Sequence, residues 1–228
     1  MPAAIDFFFD FSSPYAYIAN EWIDALAARH GRPVRRHAIL LGVAFQAAES
    51  TSAPRAGLAP SPPPEGVRNL GAAQRFLVSP VSHPVKREYT LLDFERSARF
   101  ERVPYRQPAP FPIATQNAAR VFWWLHDTQG PDAAAAWSRA GMRAYFTRGV
   151  PLSEPAALKA LVAETGLDAE AAQDAWGDPV WKHRLKQAND DALALGVFGA
   201  PFFIIDGEPF WGNDRKPQIE RRLADGRI

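Results

Sequence analysis

Cysteine is missing from all 228 positions of this chain. That excludes a disulfide, a thiolate metal site and a thiol nucleophile of the protein's own. Any sulfur chemistry must use a sulfur that arrives with a ligand. A thiol-free chain is compatible with the cytoplasm, which is the expected location. Long apolar runs are missing too: nothing approaches the ~18 residues that read as a membrane span, so no membrane is expected among the partners. The N-terminal MPAAIDFFFDFSSPYAY has no basic leader, and Asp6 and Asp10 interrupt its apolar run, so it does not read as a signal peptide. Charge of one sign is scarce. Lys and Arg number 26 against 25 Asp and Glu, a formal net charge of +1, and no basic block stands out. Nucleic acid is therefore not an expected partner. No G-x-S-x-G elbow, P-loop, H-E-x-x-H or EF-hand loop occurs. The histidines at 30, 37, 83, 126 and 183 have no ligand spacing, so no metal site is expected.

What is there suits a globular protein. Hydrophobic residues make up 47% and charged residues 22%, enough for a core without general disorder. The length fits one globular unit with an insertion, or two domains sharing a core. AIDFFFD (4–10) predicts a central strand buried on both faces. Ser12-Ser13-Pro14 then signals a helix start, because a hydroxyl caps free amides and proline fits the first helical position. Apolar residues at helical spacing carry that helix to about His30, and Gly31 ends it. PVRRHAIL (33–40) predicts a second strand, completing a β-α-β unit with parallel pairing.

The middle of the chain changes character. Residues 51–66, TSAPRAGLAPSPPPEG, read as a Pro-rich loop on the surface. Helices follow at about 86–100, with Tyr89, Leu92 and Phe100 among the apolar positions, and near 114–127, 131–148, 154–163 and 168–175. A further helix over 179–195, a strand FFIID (202–206), an Asp206-Gly207 hairpin turn, a strand PFWG (209–212) and a last helix over 214–224 complete the order. The class is α/β. The boundaries fall at 1–40 plus 179–228 for the sheet-bearing scaffold and 41–178 for a helical insertion. The seven tryptophans read as core, and Trp123-Trp124 as helix packing.

Four features carry candidate chemistry. Ser13 lies where the first predicted strand gives way to the first helix. Ligands of open α/β sheets bind beyond the carboxyl ends of strands, and a helix N-terminus there offers unpaired amides and partial positive charge. Such a site suits a thiolate, to which a serine hydroxyl can donate one hydrogen bond; the plainer role is a helix cap. Ala200-Pro201 precedes an apolar strand, where proline removes a ladder donor. The pair is either a plain strand entry or, with a cis bond, a turn that presents the Ala200 backbone to a peptide-like ligand. Asn213 and Asp214 stand where the last helix is expected to start, as caps or as a polar pocket for a zwitterion. Lys86 opens the first helix of the insertion and, on its own, reads as a surface cation.

The segments DFSSPYAY (10–17), KREYTLLDFERSAR (86–99), PFP (110–112) and GVFGAPFFIIDGEPFWGNDR (196–215) together resemble the 2-hydroxychromene-2-carboxylate isomerases. That family is close to kappa-class glutathione transferases within the DsbA-like group. The resemblance implies a thioredoxin-like domain interrupted by an all-helical insertion, glutathione as cofactor and a homodimer. It implies Ser13 as the catalytic serine, Pro201 as a cis-proline and Ala200 as the residue whose backbone pairs with the cysteinyl unit. Asn213 and Asp214 would meet the γ-glutamyl end and Lys86 the glycyl end. The implied reaction is a reversible thiolate addition to a conjugated carbon of an aromatic-degradation intermediate, with Tyr15 or Tyr89 assisting proton transfer. A glutathione transferase acting on another electrophile, and a non-catalytic DsbA-like binding module, are the alternatives. Disulfide exchange is excluded, since no cysteine can cycle.

Overall fold

The computed structural model describes residues 3–42, 81 and 85–228. The Pro-rich segment 51–66 lies outside them. Among the described residues one four-stranded sheet has the order β2-β1-β3-β4. Strand β1 (Ile5–Phe9) pairs in parallel with β2 (Val34–Ala38) and antiparallel with β3 (Phe202–Ile205), which pairs antiparallel with β4 (Glu208–Trp211). β1 is thus an inner strand, as its unbroken aromatic run requires. The turn between β3 and β4 has positive φ at both Asp206 and Gly207 (51° and 85°), the geometry that two-residue hairpins demand and that Asp-Gly tolerates.

Helix α1 (Pro14–Arg29) covers one face of the sheet. Phe7 and Phe203 stack across β1 and β3 with ring centroids 5.2 Å apart, and Trp22 of α1 lies on Phe203 at 5.4 Å. Each of these rings contributes about 2–3 kcal/mol by leaving water. The other face carries a smaller cluster of Phe8, Ile39, Ala192, Val197 and Phe202.

Between β2 and β3 the described residues form six α-helices and their connections: α2 (Arg87–Glu101), α3 (Gln116–Gln129), α4 (Pro131–Arg148), α5 (Pro155–Glu164), α6 (Ala169–Gly177) and α7 (Pro179–Ala194). Their core is continuous with that of the sheet: Phe9, Phe11, Phe122, Trp137 and Phe146 belong to one apolar cluster. Trp123 is buried and donates to the Ala38 carbonyl at the edge of β2 (3.0 Å). In α2 the inward positions are Thr90, Phe94 and Ala98, four residues apart, while Tyr89, Leu92 and Phe100 face outward. A 3₁₀ turn (Asn213–Arg215) leads into the last helix, α8 (Lys216–Asp225). No helix among the described residues is long and apolar enough to cross a membrane.

Candidate active site

The sheet brings the ends of β1 and β2 and the start of β3 to one edge, and the candidate residues gather there. Ser13 is the N-cap of α1, with extended backbone (φ −90°, ψ 114°) and only 6% of its surface exposed. Its Oγ accepts from the Ala16 amide (3.2 Å) and donates to the Ala200 carbonyl (3.0 Å). The same hydroxyl therefore caps the helix and touches the loop before β3. The Ala200–Pro201 peptide is cis, and the Pro201 carbonyl accepts from the Gly212 amide (3.1 Å). Among the described residues no carboxylate or imidazole bonds to the Ser13 Oγ, so none of them activates it as a nucleophile. It is a hydrogen-bond donor set at a helix N-terminus.

Behind Ser13 sits a carboxylate that sequence reading treated only as a break in an apolar run. Asp10 is 4% exposed. Its Oδ1 accepts from the Ser12 amide (2.8 Å), the Ser12 hydroxyl (2.9 Å) and the Thr115 hydroxyl (2.9 Å), and its Oδ2 from the Leu41 amide (2.8 Å). Its backbone carbonyl accepts from the Ser13 amide (3.0 Å). A buried charge is tolerable only when saturated with donors in this way. One side chain thereby ties the turn before α1, the exit of β2 and the start of α3.

Tyr15, in the first turn of α1, donates to Asp93 Oδ2 at 2.6 Å, and Arg96 Nη1 holds Asp93 Oδ1 at 2.8 Å. Burial, the Asp93 bond and the Asp93 charge, with smaller contributions from Tyr89 and Asp214, push the Tyr15 hydroxyl far above the usual phenol range. It is a fixed donor at working pH and does not serve as a base. The Tyr15 ring meets Phe94 edge-on (4.9 Å), and Phe94 meets Phe111 in the same way (5.9 Å), in the segment whose Ala109–Pro110 and Phe111–Pro112 peptides are also cis. Tyr89 is exposed beside Arg96.

The remaining candidates divide. Asp214 is exposed and pairs with Arg215 (2.9 Å), within electrostatic reach of Tyr15. Asn213 is buried, and its Oδ1 is taken by the Trp22 indole (3.0 Å). Neither residue makes a side-chain cap, the plainer of the two roles expected for them: Gly212 precedes the 3₁₀ turn and α8 starts only at Lys216. Lys86 is exposed at the residue before α2, where its carbonyl accepts from both the amide and the hydroxyl of Thr90.

Comparison with known proteins fits this geometry. The model of the DSBA-like thioredoxin domain matches residues 4–224. The chain belongs to this family. Among DSBA-like relatives, a 2-hydroxychromene-2-carboxylate isomerase of Sphingobium xenophagum is 29% identical over 225 residues, spanning 99% of this chain and 100% of the relative. One from Pseudomonas putida is 28% identical over 221 residues, spanning 96% and 94%. A solved 2-hydroxychromene-2-carboxylate isomerase superposes with a TM-score of 0.75 at 24% identity, covering 99% of this chain and all of that one. The cytosolic disulfide reductase DsbM of Pseudomonas aeruginosa, solved with GSH, superposes with a TM-score of 0.59 at 17% identity, covering 98% of each chain. At such identities the two structures speak for the DSBA-like fold alone.

Proposed function

We propose that this protein is a glutathione-dependent isomerase of 2-hydroxychromene-2-carboxylate-type intermediates of aromatic degradation. One observation carries the reading: in a chain without cysteine, the Ser13 hydroxyl stands at the N-terminus of α1, 3.0 Å from the Ala200 carbonyl of the cis-proline loop. That is a donor, a helix end and a backbone acceptor in one place, which suits a peptide thiol and leaves the sulfur to the ligand. The two named relatives, similar over nearly their whole length, support the reaction class.

When bound, glutathione supplies a thiolate, the reversible nucleophile that the chain itself lacks. The protein's residues do the rest. Ser13 donates to the anionic sulfur, and the N-terminal amides of α1 favour the charged form. The Ala200 backbone receives the cysteinyl amide, and Pro201 keeps the preceding peptide turned toward it. Asp214 attracts the α-ammonium group, and Lys86 the glycyl carboxylate. The Tyr15 hydroxyl, held by Asp93, stays protonated and adds no competing negative charge near the sulfur. Asn213 acts by fixing Trp22 under the last turn rather than by offering its Oδ1. A cytoplasmic homodimer goes with this reading.

The test is conversion of 2-hydroxychromene-2-carboxylate with and without glutathione, together with a pH titration of the bound thiol by its thiolate absorbance. We expect conversion only with glutathione. Ser13→Ala should raise the thiol pKa and slow turnover by about 10²-fold, the usual loss for a preorganised donor to a developing or resident anion. Conjugation of a chloronitrobenzene-type electrophile without chromene conversion would replace isomerase with transferase. An unaltered thiol pKa in Ser13→Ala would remove that serine from the mechanism.

A further inference from the structure

Two large aromatic side chains stand in solvent next to the cis-proline loop. Phe198 is 40% exposed and Trp211 55% exposed. Their ring centroids lie 4.9 Å apart with planes at 66°, so the two rings form an open corner. Phe202, itself buried, supports Phe198 edge-on at 5.4 Å. Both rings border the small buried cluster of Phe8, Ile39, Ala192, Val197 and Phe202 and remain partly open to solvent.

The position of this corner is fixed by the chain. Trp211 pairs with Phe202 across β3 and β4, at the end of the sheet that carries Ser13. Its indole lies directly against Gly199: a Cβ built there would run into Nε1, with Cδ1 and Cε2 only 3.1 Å away. Gly199 is thus needed for the indole to lie over the loop, one residue before Ala200, whose carbonyl is bonded to Ser13. Only two residues, Gly199 and Ala200, separate Phe198 from Pro201. Leaving these two aromatic faces partly in water forgoes part of the hydrophobic gain that their burial would bring. Isolated exposed apolar groups need no explanation, but a contiguous aromatic pair bordering a site does.

We infer that the Phe198–Trp211 corner is the platform for the aromatic ring of the second substrate. The corner takes a flat, conjugated carboxylic acid by offset and edge-to-face stacking, with the ring's reactive substituent directed toward Ser13 and Ala200. This deepens the proposed function, on which it rests for the place of the sulfur. It names the substrate class by its ring rather than by its reaction: fused or extended aromatics are held, and saturated acids of similar size are not.

The test separates the platform from the reaction by using ligands that the protein cannot turn over. Binding of 1-naphthoate and of its saturated counterpart, decahydro-1-naphthoate, is measured by calorimetry on the glutathione-saturated protein and on the protein alone. We expect wild type to prefer naphthoate at least about tenfold, as stacking of this size allows. Trp211→Ala and Phe198→Ala should each remove most of that preference, and Trp211→Phe should keep most of it. In the same variants, KM for an aromatic electrophile should rise about five- to tenfold while KM for glutathione moves less than twofold. Circular dichroism melts identify any variant that fails to fold, and Phe198→Ala and Trp211→Phe then carry the test. Equal affinity of wild type for the two acids, or an unchanged preference in folded Trp211→Ala and Phe198→Ala, overturns the platform. A stable dimer in light scattering that Trp211→Ala alone dissolves, without any preference for naphthoate, also overturns it and makes the corner a subunit contact. A naphthoate preference that follows the variants, in a protein that does not convert the chromene carboxylate, leaves the platform standing and sinks only the isomerase.

Discussion

Two helices of this protein start in the same way and do different work. Both α1 and α7 have 16 residues, a side-chain cap and a proline in the first turn. The cap of α7 is Asp178, which accepts from the Val180 amide at 2.8 Å at an exposed position. The cap of α1 is Ser13, buried, accepting from Ala16 and donating to Ala200. An aspartate satisfies the helix amides and also places a full negative charge on the positive end of the dipole. A serine satisfies an amide, remains neutral and keeps a proton to give. One helix end is closed to anions by its own cap, and the other is left electrostatically open.

Exchanging these caps gives the most severe outcome. Ser13→Asp should abolish thiolate binding and lower turnover by about a thousandfold or more, because it replaces a donor with a like charge. Thiolate absorbance of added glutathione measures this directly. Asp10→Ala probes the support beneath the same cap. Removing an acceptor shared by four donors should cost about 3 kcal/mol in urea unfolding, with a blurred turn before α1. The matching change at the other helix, Asp178→Ala, should cost about 1 kcal/mol and leave turnover unaltered. A loss of turnover there would show that the two helix ends are not independent.

A similarly small effect, confined to acid pH, lies at the opposite end of the sheet. Burial alone would raise the Asp6 carboxyl, but the His37 and Arg35 hydrogen bonds and charges outweigh it and hold the pKa at about 2. The unfolded-state value is about 3.9. A depressed acid contributes stability above the unfolded value and loses it as pH falls through the folded one. Unfolding free energy should therefore fall between about pH 4 and pH 2. Asp6→Asn should flatten that window by about 1 kcal/mol, after allowance for its partial exposure to solvent.

Local grammar was readable in the sequence. The aromatic run of β1, the prolines opening α1, α4 and α7, and the Asp206-Gly207 turn all act through residues a few positions apart, and each element formed close to where its signals stand. The parts that were not readable join distant segments. Thr115 reaches Asp10 across 105 positions, Tyr15 reaches Asp93 across 78, and Trp22 reaches Asn213 across 191. An aspartate after a strand looks the same whether or not a threonine will later arrive beside it. Asn213 shows the converse error. It has the composition of a cap, but the 3₁₀ turn moves the start of α8 to Lys216 and leaves its carbonyl oxygen for an indole. Trp211 shows another: tryptophan is usually core, and this one is outside it.

The bond between the Ser13 hydroxyl and the Ala200 carbonyl has a further consequence for selectivity. Because the proton already has a good acceptor, a bare thiolate that recruits it gains only the difference between two hydrogen bonds and strands a carbonyl. A thiol carrying an amide N–H at the right separation replaces both partners at once. Small monothiols such as mercaptoethanol should therefore be poor substitutes for a peptide thiol, even where they fit, through an exchange that penalises incomplete ligands rather than one that rewards sulfur alone.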